Sequence, residues 1–156
     1  MTVGPSPFPS RIAMKRILLL ALSAALAGCT ISGPVTVPGG MARDRASIAY
    51  GQTVNGALEA TDILGEDDSF YDEWVFTGRA GETAEVTMES GEFDTFLFLG
   101  RMDGGRWTQL EANDDGGGGT DAQIVFTLPQ DGEYVIRANS LSPGQTGGYT
   151  LALRRR

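Results

Sequence analysis

From Ile48 to the end of the chain, short segments of alternating apolar and polar residues are separated by residues that favour turns. In segment 83–89, Ala84, Val86 and Met88 would point to one side of a strand and the residues between them to the other. No stretch in this part has a convincing amphipathic-helix pattern. Because a strand with one apolar face must bury that face, the pattern predicts an all-β fold of two packed antiparallel sheets.

The segments with strand character are bounded by turn signals. Strands are predicted at residues 52–58, 71–77, 83–89, 94–100, 107–111, 122–128, 132–139 and 149–154. Segment 94–100 is apolar on both faces, which predicts a central position in a sheet. Glycine, at 22 of 156 residues, is about twice as frequent as in average proteins and suits many tight turns. We therefore expect a jelly-roll-like antiparallel β-sandwich of about eight strands.

Two features of the composition limit the chemistry that the chain can perform. It contains no histidine, which excludes a Ser-His-Asp triad, a histidine general base and a histidine metal site. It contains one cysteine, Cys29, which excludes an intramolecular disulfide and a thiolate cluster.

The formal net charge of −8 argues against a nucleic-acid partner, because phosphate contacts need clustered Lys and Arg. The oxygen donors that remain suit Ca²⁺ better than zinc.

The N-terminal part has the composition of an export signal. Residues 14–16 read Met-Lys-Arg and are followed by an apolar run at 17–27, which is shorter than the roughly 20 residues needed to span a bilayer. The sequence Leu-Ala-Gly-Cys at 26–29 resembles the bacterial lipobox, so cleavage before Cys29 and lipidation of this cysteine are expected. The alternative is an ordinary secretory signal in which the cysteine is incidental.

These observations divide the chain into three parts. Residues 1–28 are interpreted as a leader and lipoprotein signal peptide, with Met14 as the true start. Residues 29–47 are interpreted as the lipidated cysteine and a flexible tether, and residues 48–156 as the β-sandwich. Thr30, instead of an aspartate, follows the cysteine. By analogy with bacterial lipoproteins, this favours an outer-membrane anchor that faces the periplasm or the cell surface.

Several fragments of the predicted sandwich, in their order and spacing, resemble the bacterial pre-peptidase C-terminal domain family. They are Gly56-Ala57-Leu58, Tyr71-Asp72-Glu73-Trp74-Val75-Phe76, Ala80-Gly81-Glu82, Phe93-Asp94-Thr95-Phe96-Leu97, Asn113-Asp114-Asp115, Leu128-Pro129-Gln130-Asp131-Gly132-Glu133-Tyr134 and Gly148-Tyr149-Thr150-Leu151. The resemblance covers roughly residues 50–153 and implies a jelly-roll-like sandwich of the kind appended to secreted peptidases. Because the chain shows no peptidase domain, we expect a free-standing module on a lipid anchor.

The resemblance also implies a candidate Ca²⁺ site. Related domains in bacterial collagenases bind collagen and use Ca²⁺, and Asp72 corresponds to an acidic position that helps to hold the ion there. Asp68, just upstream, would supply further oxygens from the same loop. However, residues 41–49 lack the Glu-Pro-Asn type of segment that supplies several ligands in those relatives. The alternative is a solvated acidic loop.

A second cluster consists of Asp94, Asn113, Asp114 and Asp115, beside four consecutive glycines at 116–119. These carboxylates are also candidate metal ligands. The interpretation that we favour is structural: Asp94 and one of the other two carboxylates accept backbone N–H bonds and hold the glycine loop. A phosphate-binding loop is excluded, because no lysine and no helix follow the glycines.

The most economical functional prediction is a non-enzymatic, lipid-anchored envelope module that binds a protein or polysaccharide, with Ca²⁺ as its candidate cofactor. A carboxylate pair acting as acid and base is not favoured, because no second domain or long loops would enclose a substrate. Tyr71 and Trp107 are candidates for exposed binding aromatics, with core packing as the alternative. The alternative function is a structural accessory of a separately encoded secreted peptidase.

The anchor can be tested by replacing the lipidated residue. Cys29→Ser removes the thiol that receives the lipid, so the protein should move from the membrane fraction to the soluble fraction. Cell fractionation followed by immunoblotting measures this. A variant that still sediments with membranes would contradict the anchor.

Overall fold

The structure is a computed structural model that describes residues 35–36 and 45–156. Within these residues, no helix is long and apolar enough to cross a membrane. The strands, in chain order, are β1 (Val35–Thr36), β2 (Ala46–Ser47), β3 (Thr53–Leu58), β4 (Ile63–Leu64), β5 (Phe70–Gly78), β6 (Thr83–Glu89), β7 (Thr95–Asp103), β8 (Arg106–Asn113), β9 (Ala122–Thr127), β10 (Gly132–Ser140) and β11 (Gly147–Arg155).

The strands with six or more residues coincide with the predicted segments, and the predicted all-β sandwich is confirmed. The largest difference lies in the hairpin of β7 and β8: β7 ends at Asp103 instead of residue 100, and β8 runs from Arg106 to Asn113 instead of from 107 to 111. Gly104 and Gly105 close this hairpin with φ angles of 59° and 85°. Glycine adopts such angles without steric cost, so the two strands remain paired up to the turn.

The strands form two sheets. The five-stranded sheet has the order β1-β3-β11-β6-β9, and the six-stranded sheet has the order β2-β5-β10-β7-β8, with β4 also paired to β5. The long strands pair antiparallel, whereas β1 and β2 run parallel to β3 and β5. The short segments 35–36 and 46–47 cover strand edges that would otherwise expose unpaired N–H and C=O groups. The sheets therefore include backbone from the segment predicted as a flexible tether.

The inner faces of the two sheets form one hydrophobic core. The alternation predicted for β6 is confirmed, because Ala84, Val86 and Met88 are all fully buried. Leu97 and Leu99 of β7 contribute to the same core from the six-stranded sheet. Burial of apolar surface between the sheets supplies the main stabilisation of such a fold, at about 25 cal/mol per Å².

The prediction of an interior position for the doubly apolar segment is also confirmed, since β7 lies between β10 and β8. No second layer covers its outer face within the described residues. Phe96 and Phe98 lie half-buried on that face, with ring centroids 4.5 Å apart in an edge-to-face arrangement. The outer side of the six-stranded sheet therefore carries an aromatic surface.

The connection between β8 and β9 is held by Thr95, and the role predicted for Asp94 is wrong. The Thr95 hydroxyl lies 3.1 Å from the Thr120 carbonyl and 3.2 Å from the Met88 carbonyl, and it accepts the Ala122 N–H at 2.7 Å. The Asp94 carboxylate makes no hydrogen bond to the described glycines, and its buried Oδ1 has no partner in the described structure. Thr95, the first residue of β7, is fully buried and faces these backbone groups, whereas Asp94 precedes the strand and its carboxylate does not bond to the loop.

The four glycines of this connection are required by space and by backbone conformation. A Cβ at Gly116 would lie 2.4 Å from the Gln123 carbonyl oxygen, and one at Gly117 would lie 2.7 Å from the Asp121 carbonyl oxygen. Gly118 and Gly119 have φ angles of 95° and 69°, which disfavour other residues. The glycine run is therefore explained by the path of the loop.

The structure predicts that the hydroxyl of Thr95 matters more than the carboxylate of Asp94. Thr95→Val should lower the free energy of unfolding by about 1–3 kcal/mol, because it leaves the buried Ala122 N–H without a partner. Thr95→Ser keeps the hydroxyl and is the matched control. Urea denaturation measures the effect. A loss in Asp94→Ala as large as in Thr95→Val would contradict this assignment.

Candidate functional site

The residues predicted as Ca²⁺ ligands lie on separate elements of the described structure. Asp68 is on the exposed turn before β5, Asp72 is within β5, Asp94 precedes β7, and Asp114 and Asp115 follow β8. In residues 45–156, no three acidic side chains come together as a set that could hold a metal ion. Ca²⁺ needs about six to eight oxygen ligands, so these carboxylates alone do not fit it, and Ca²⁺ binding stays a prediction. The predicted lipidation site, Cys29, lies outside the described residues.

Asp72 takes part in a hydrogen-bonded chain that joins the two sheets. The Tyr149 hydroxyl, on β11, donates to Asp72 Oδ2 at 2.5 Å. The same hydroxyl accepts a hydrogen bond from Trp74 Nε1 at 2.9 Å. Asp72 and Trp74 are two residues apart on β5, so both side chains point to the inner face of the sheet. Tyr149 reaches them from the other sheet. These two hydrogen bonds form a structural link across one end of the sandwich.

Burial gives this carboxylate an unusual acidity. It raises the pKa of Asp72 to about 6, an effect that the hydrogen bond from Tyr149 partly opposes and the nearby Asp62 and Glu59 carboxylates reinforce. Burial likewise raises the pKa of Tyr149 well above its ordinary value, and the adjacent Asp72 charge adds to this. The phenol therefore remains protonated and continues to donate its hydrogen bond at neutral pH.

A depression that combines aromatic and charged side chains lies on the outer face of the six-stranded sheet. It has a volume of about 650 Å³ and runs across the strands from β4 to β8. The side chains that give it its chemical character are Leu64, Tyr71, Phe98, Trp107, Arg106, Gln109 and Arg137. We call it the aromatic–arginine groove.

Strand register explains why these residues share one face. Trp74, Ile136 and Leu99 are aligned across β5, β10 and β7 and point into the core. One residue away, alternation turns the side chains of the neighbouring row, Arg137 and Phe98, to the outside. The same alignment that fills the core therefore assembles the groove.

Arg137 is the centre of the groove. Its guanidinium lies 3.9 Å from the centroid of the Trp107 ring and 4.6 Å from that of Tyr71. It also forms an ion pair with Glu73 at 3.0 Å, and Glu73 is paired with Arg45 at 2.6 Å. Stacking on rings and pairing with a carboxylate hold a planar guanidinium in one orientation. The floor of the groove is thus ordered before any ligand arrives.

Gly100 permits the indole of Trp107 to lie against the sheet. A Cβ at this position would be 2.5 Å from the ring of Trp107 and 2.5 Å from the Thr108 carbonyl oxygen. The register of β7 and β8 also shifts between Leu99 and Gly100, which is a local irregularity of the kind that re-aims side chains. The position of Trp107 therefore depends on a glycine and on a change of register.

Part of this site was predicted from the sequence. Tyr71 and Trp107 were candidates for exposed binding aromatics, with core packing as the alternative, and both lie half-buried on the groove. Arg137 and Phe98 were missed. A lone arginine within the apolar strand 132–139 was the available signal, because a charge there must face outward or be paired.

Comparisons with known proteins match the part of the chain that forms most of the groove. Residues 70–140 match the family model of the bacterial pre-peptidase C-terminal domain, which confirms the resemblance predicted from the sequence. The matched segment begins with β5 and ends with β10, so it includes the long strands of the six-stranded sheet. No curated protein sequence matches the chain.

Two solved structures share the fold. One is the pre-peptidase C-terminal domain of a collagenase from Bacillus anthracis, with 16% identity and a TM-score of 0.51 over 76% of this chain and 99% of that chain. Another is Aeromonas hydrophila PliG, a periplasmic lysozyme inhibitor of g-type lysozyme, with 16% identity and a TM-score of 0.50 over 71% of this chain and 96% of that chain. At this identity, the likeness concerns the fold alone.

The acidity of Asp72 leads to a pH-dependent stability. Since its pKa in the folded state is about 6 and its ordinary value is 3.8, the folded state binds more protons between these values. The stability that this carboxyl contributes is therefore full below about pH 4 and is lost as the pH rises through about 6.

Asp72→Asn, which cannot ionise, should remove this dependence. Relative to the wild type, its free energy of unfolding should increase by up to about 2–3 kcal/mol between pH ~4 and pH ~7. Urea denaturation across this range measures it, with the exposed Asp115→Asn as control. Parallel pH profiles of Asp72→Asn and the wild type would refute the assignment.

Proposed function

We propose that the chain is a non-enzymatic binding module of the cell envelope whose ligand, a protein or a glycan, occupies the aromatic–arginine groove. The match of residues 70–140 to the family model of the bacterial pre-peptidase C-terminal domain supports this role. The observation that carries the proposal is the order of the groove floor, where Arg137 is stacked on Trp107 and Tyr71 and paired with Glu73. A preorganised surface binds with less loss of side-chain entropy than a mobile one.

The dimensions and composition of the groove support a binding role. Its volume of about 650 Å³ falls within the roughly 300–1,000 Å³ of typical ligand sites. Aromatic residues and arginine are the side chains most enriched where proteins bind other molecules tightly. Leu64, 54% exposed at one end of the groove, adds apolar surface that a ligand would remove from water.

The proposal includes export and a lipid anchor at Cys29. It is supported by the basic and apolar segments that precede this cysteine and by the likeness of residues 26–29 to a lipobox. The fold is also that of a periplasmic inhibitor that acts on a lysozyme, which supports an envelope protein as one class of ligand. An anchor in the outer membrane would place the groove where such ligands occur.

A second candidate function is that of an accessory to a separately encoded secreted peptidase. The observation that favours it is the family itself, because the related domain from Bacillus anthracis belongs to a collagenase. In that case the partner is the peptidase. Co-purification with one particular peptidase, and a loss of its secreted activity when this chain is deleted, would distinguish this function from a general binding role.

The binding function predicts a specific loss in a groove variant. Mature protein carrying Cys29→Ser should bind saturably to one component of a panel of envelope proteins, peptidoglycan and polysaccharides. Trp107→Ala should weaken this binding by at least about tenfold, because an aromatic anchor in a groove supplies much of the free energy of binding. Biolayer interferometry measures the affinities.

Val125→Ala is the matched control, because Val125 is an exposed apolar residue on β9 of the other sheet. It should bind like the wild type. Circular dichroism melting must show that both variants are folded. Equal binding by Trp107→Ala and Val125→Ala, or no saturable binding by the wild type, would overturn the proposed function.

A further inference from the structure

The charges around the groove are unequally distributed. Arg45 and Arg137 share one carboxylate, that of Glu73, whose side chain is only 8% exposed. Arg106 also lines the groove and makes no ion pair within the described residues. Arg106 therefore offers the groove a guanidinium that has no carboxylate partner in the described structure, in a chain whose net charge is −8. The end of the groove at Arg106 attracts negative charge against the field of the rest of the protein.

The acidic residues of the groove lie at its other end. Glu66 and Asp67 lie in the turn after β4, near one edge of the sheet. Arg106 and Trp107 begin β8, which forms the opposite edge. Asp67 is already engaged, because its Oδ1 accepts a hydrogen bond from the Ser69 hydroxyl at 2.6 Å. The groove thus has a cationic end at β8 and an apolar, acid-rimmed end at β4.

The ring faces in the groove are partly occupied. One face of Trp107 and one of Tyr71 are in contact with the Arg137 guanidinium, at 3.9 Å and 4.6 Å. A sugar ring binds by stacking on a free aromatic face, so these contacts compete with a glycan. Arginine N–H groups and the positive edges of aromatic rings remain available, and both favour a carboxylate.

We propose that the groove binds a polypeptide segment in which an acidic side chain stands next to an apolar one. The carboxylate binds at Arg106 and Arg137, and the apolar side chain packs against Phe98 and Leu64. The acidic rim at Glu66 repels a segment that enters in the opposite direction. This inference rests on the proposed function, because it names the ligand class of the same groove.

The test begins with an unbiased choice of ligand. A random peptide-display library is selected against mature protein carrying Cys29→Ser, and in parallel against the same protein with Arg106→Gln. We expect the first selection to enrich Asp or Glu beside an aromatic or aliphatic residue, and the second to lose that enrichment. Enrichment of neutral or basic sequences, or no enrichment, would overturn the inference.

A synthetic version of an enriched peptide then allows the charge to be tested by itself. Changing its Asp or Glu to the amide should weaken binding by about tenfold or more, and Arg106→Gln should do the same. The two changes together should cost less than their sum, because they remove the same contact. Arg79→Gln, at an exposed turn outside the groove, is the matched control and should bind normally. Fully additive losses would overturn the contact between Arg106 and the carboxylate.

The outcome separates this inference from the function on which it rests. If acidic peptides do not bind but a glycan does, and Trp107→Ala abolishes glycan binding, the peptide inference is overturned and the groove remains the binding site. If no ligand of either class depends on Trp107, both fail. Binding of an acidic peptide that requires both Trp107 and Arg106 supports both.

Discussion

Strand β10 is paired on both sides, with β5 and with β7, and the other features of the six-stranded sheet depend on this pairing. The register sets Ile136 between Trp74 and Leu99, in the core, and Arg137 between Glu73 and Phe98, on the outside. A shift by one residue would exchange the two faces and bury the arginine. Because burying an unpaired guanidinium costs free energy, such a shift is disfavoured, and the register of both the core and the groove is maintained.

The side chains on the two faces of this sheet are held in place in different ways. The inner face is apolar, packs against the five-stranded sheet and is tied to it by the chain of Trp74, Tyr149 and Asp72. The outer face has no covering layer in the described residues, so its aromatic side chains are ordered by cation–π contacts and by the ion pairs of Glu73. A packed core on one face and side chains fixed by charge and stacking on the other are what the proposed binding role requires.

The acidic residues show where reasoning from residue type stops being sufficient. The Asp94 carboxylate was predicted to accept N–H bonds from the glycine loop at 116–119, because a carboxylate is a strong acceptor. The loop is nevertheless held by the Thr95 hydroxyl, which bonds to Thr120 and Ala122, whereas the Asp94 carboxylate makes no bond to the loop. Asp72, predicted as a Ca²⁺ ligand, lies inside β5, and its carboxylate joins the two sheets. Because successive residues of a strand point to opposite faces, residue type alone does not show which of two neighbours faces the loop.

The sequence by itself determined the strand positions, the sandwich architecture and the core face of β6, because period-two alternation and turn residues are local signals. The aromatic–arginine groove was decided by the tertiary structure. Its residues come from strands far apart in the chain, and only antiparallel registration brings Arg137 beside Trp107 and Tyr71. Sequence spacing specifies which side of a strand a residue occupies. Which residues meet across a sheet depends on register, and register is set by the packing of the whole core.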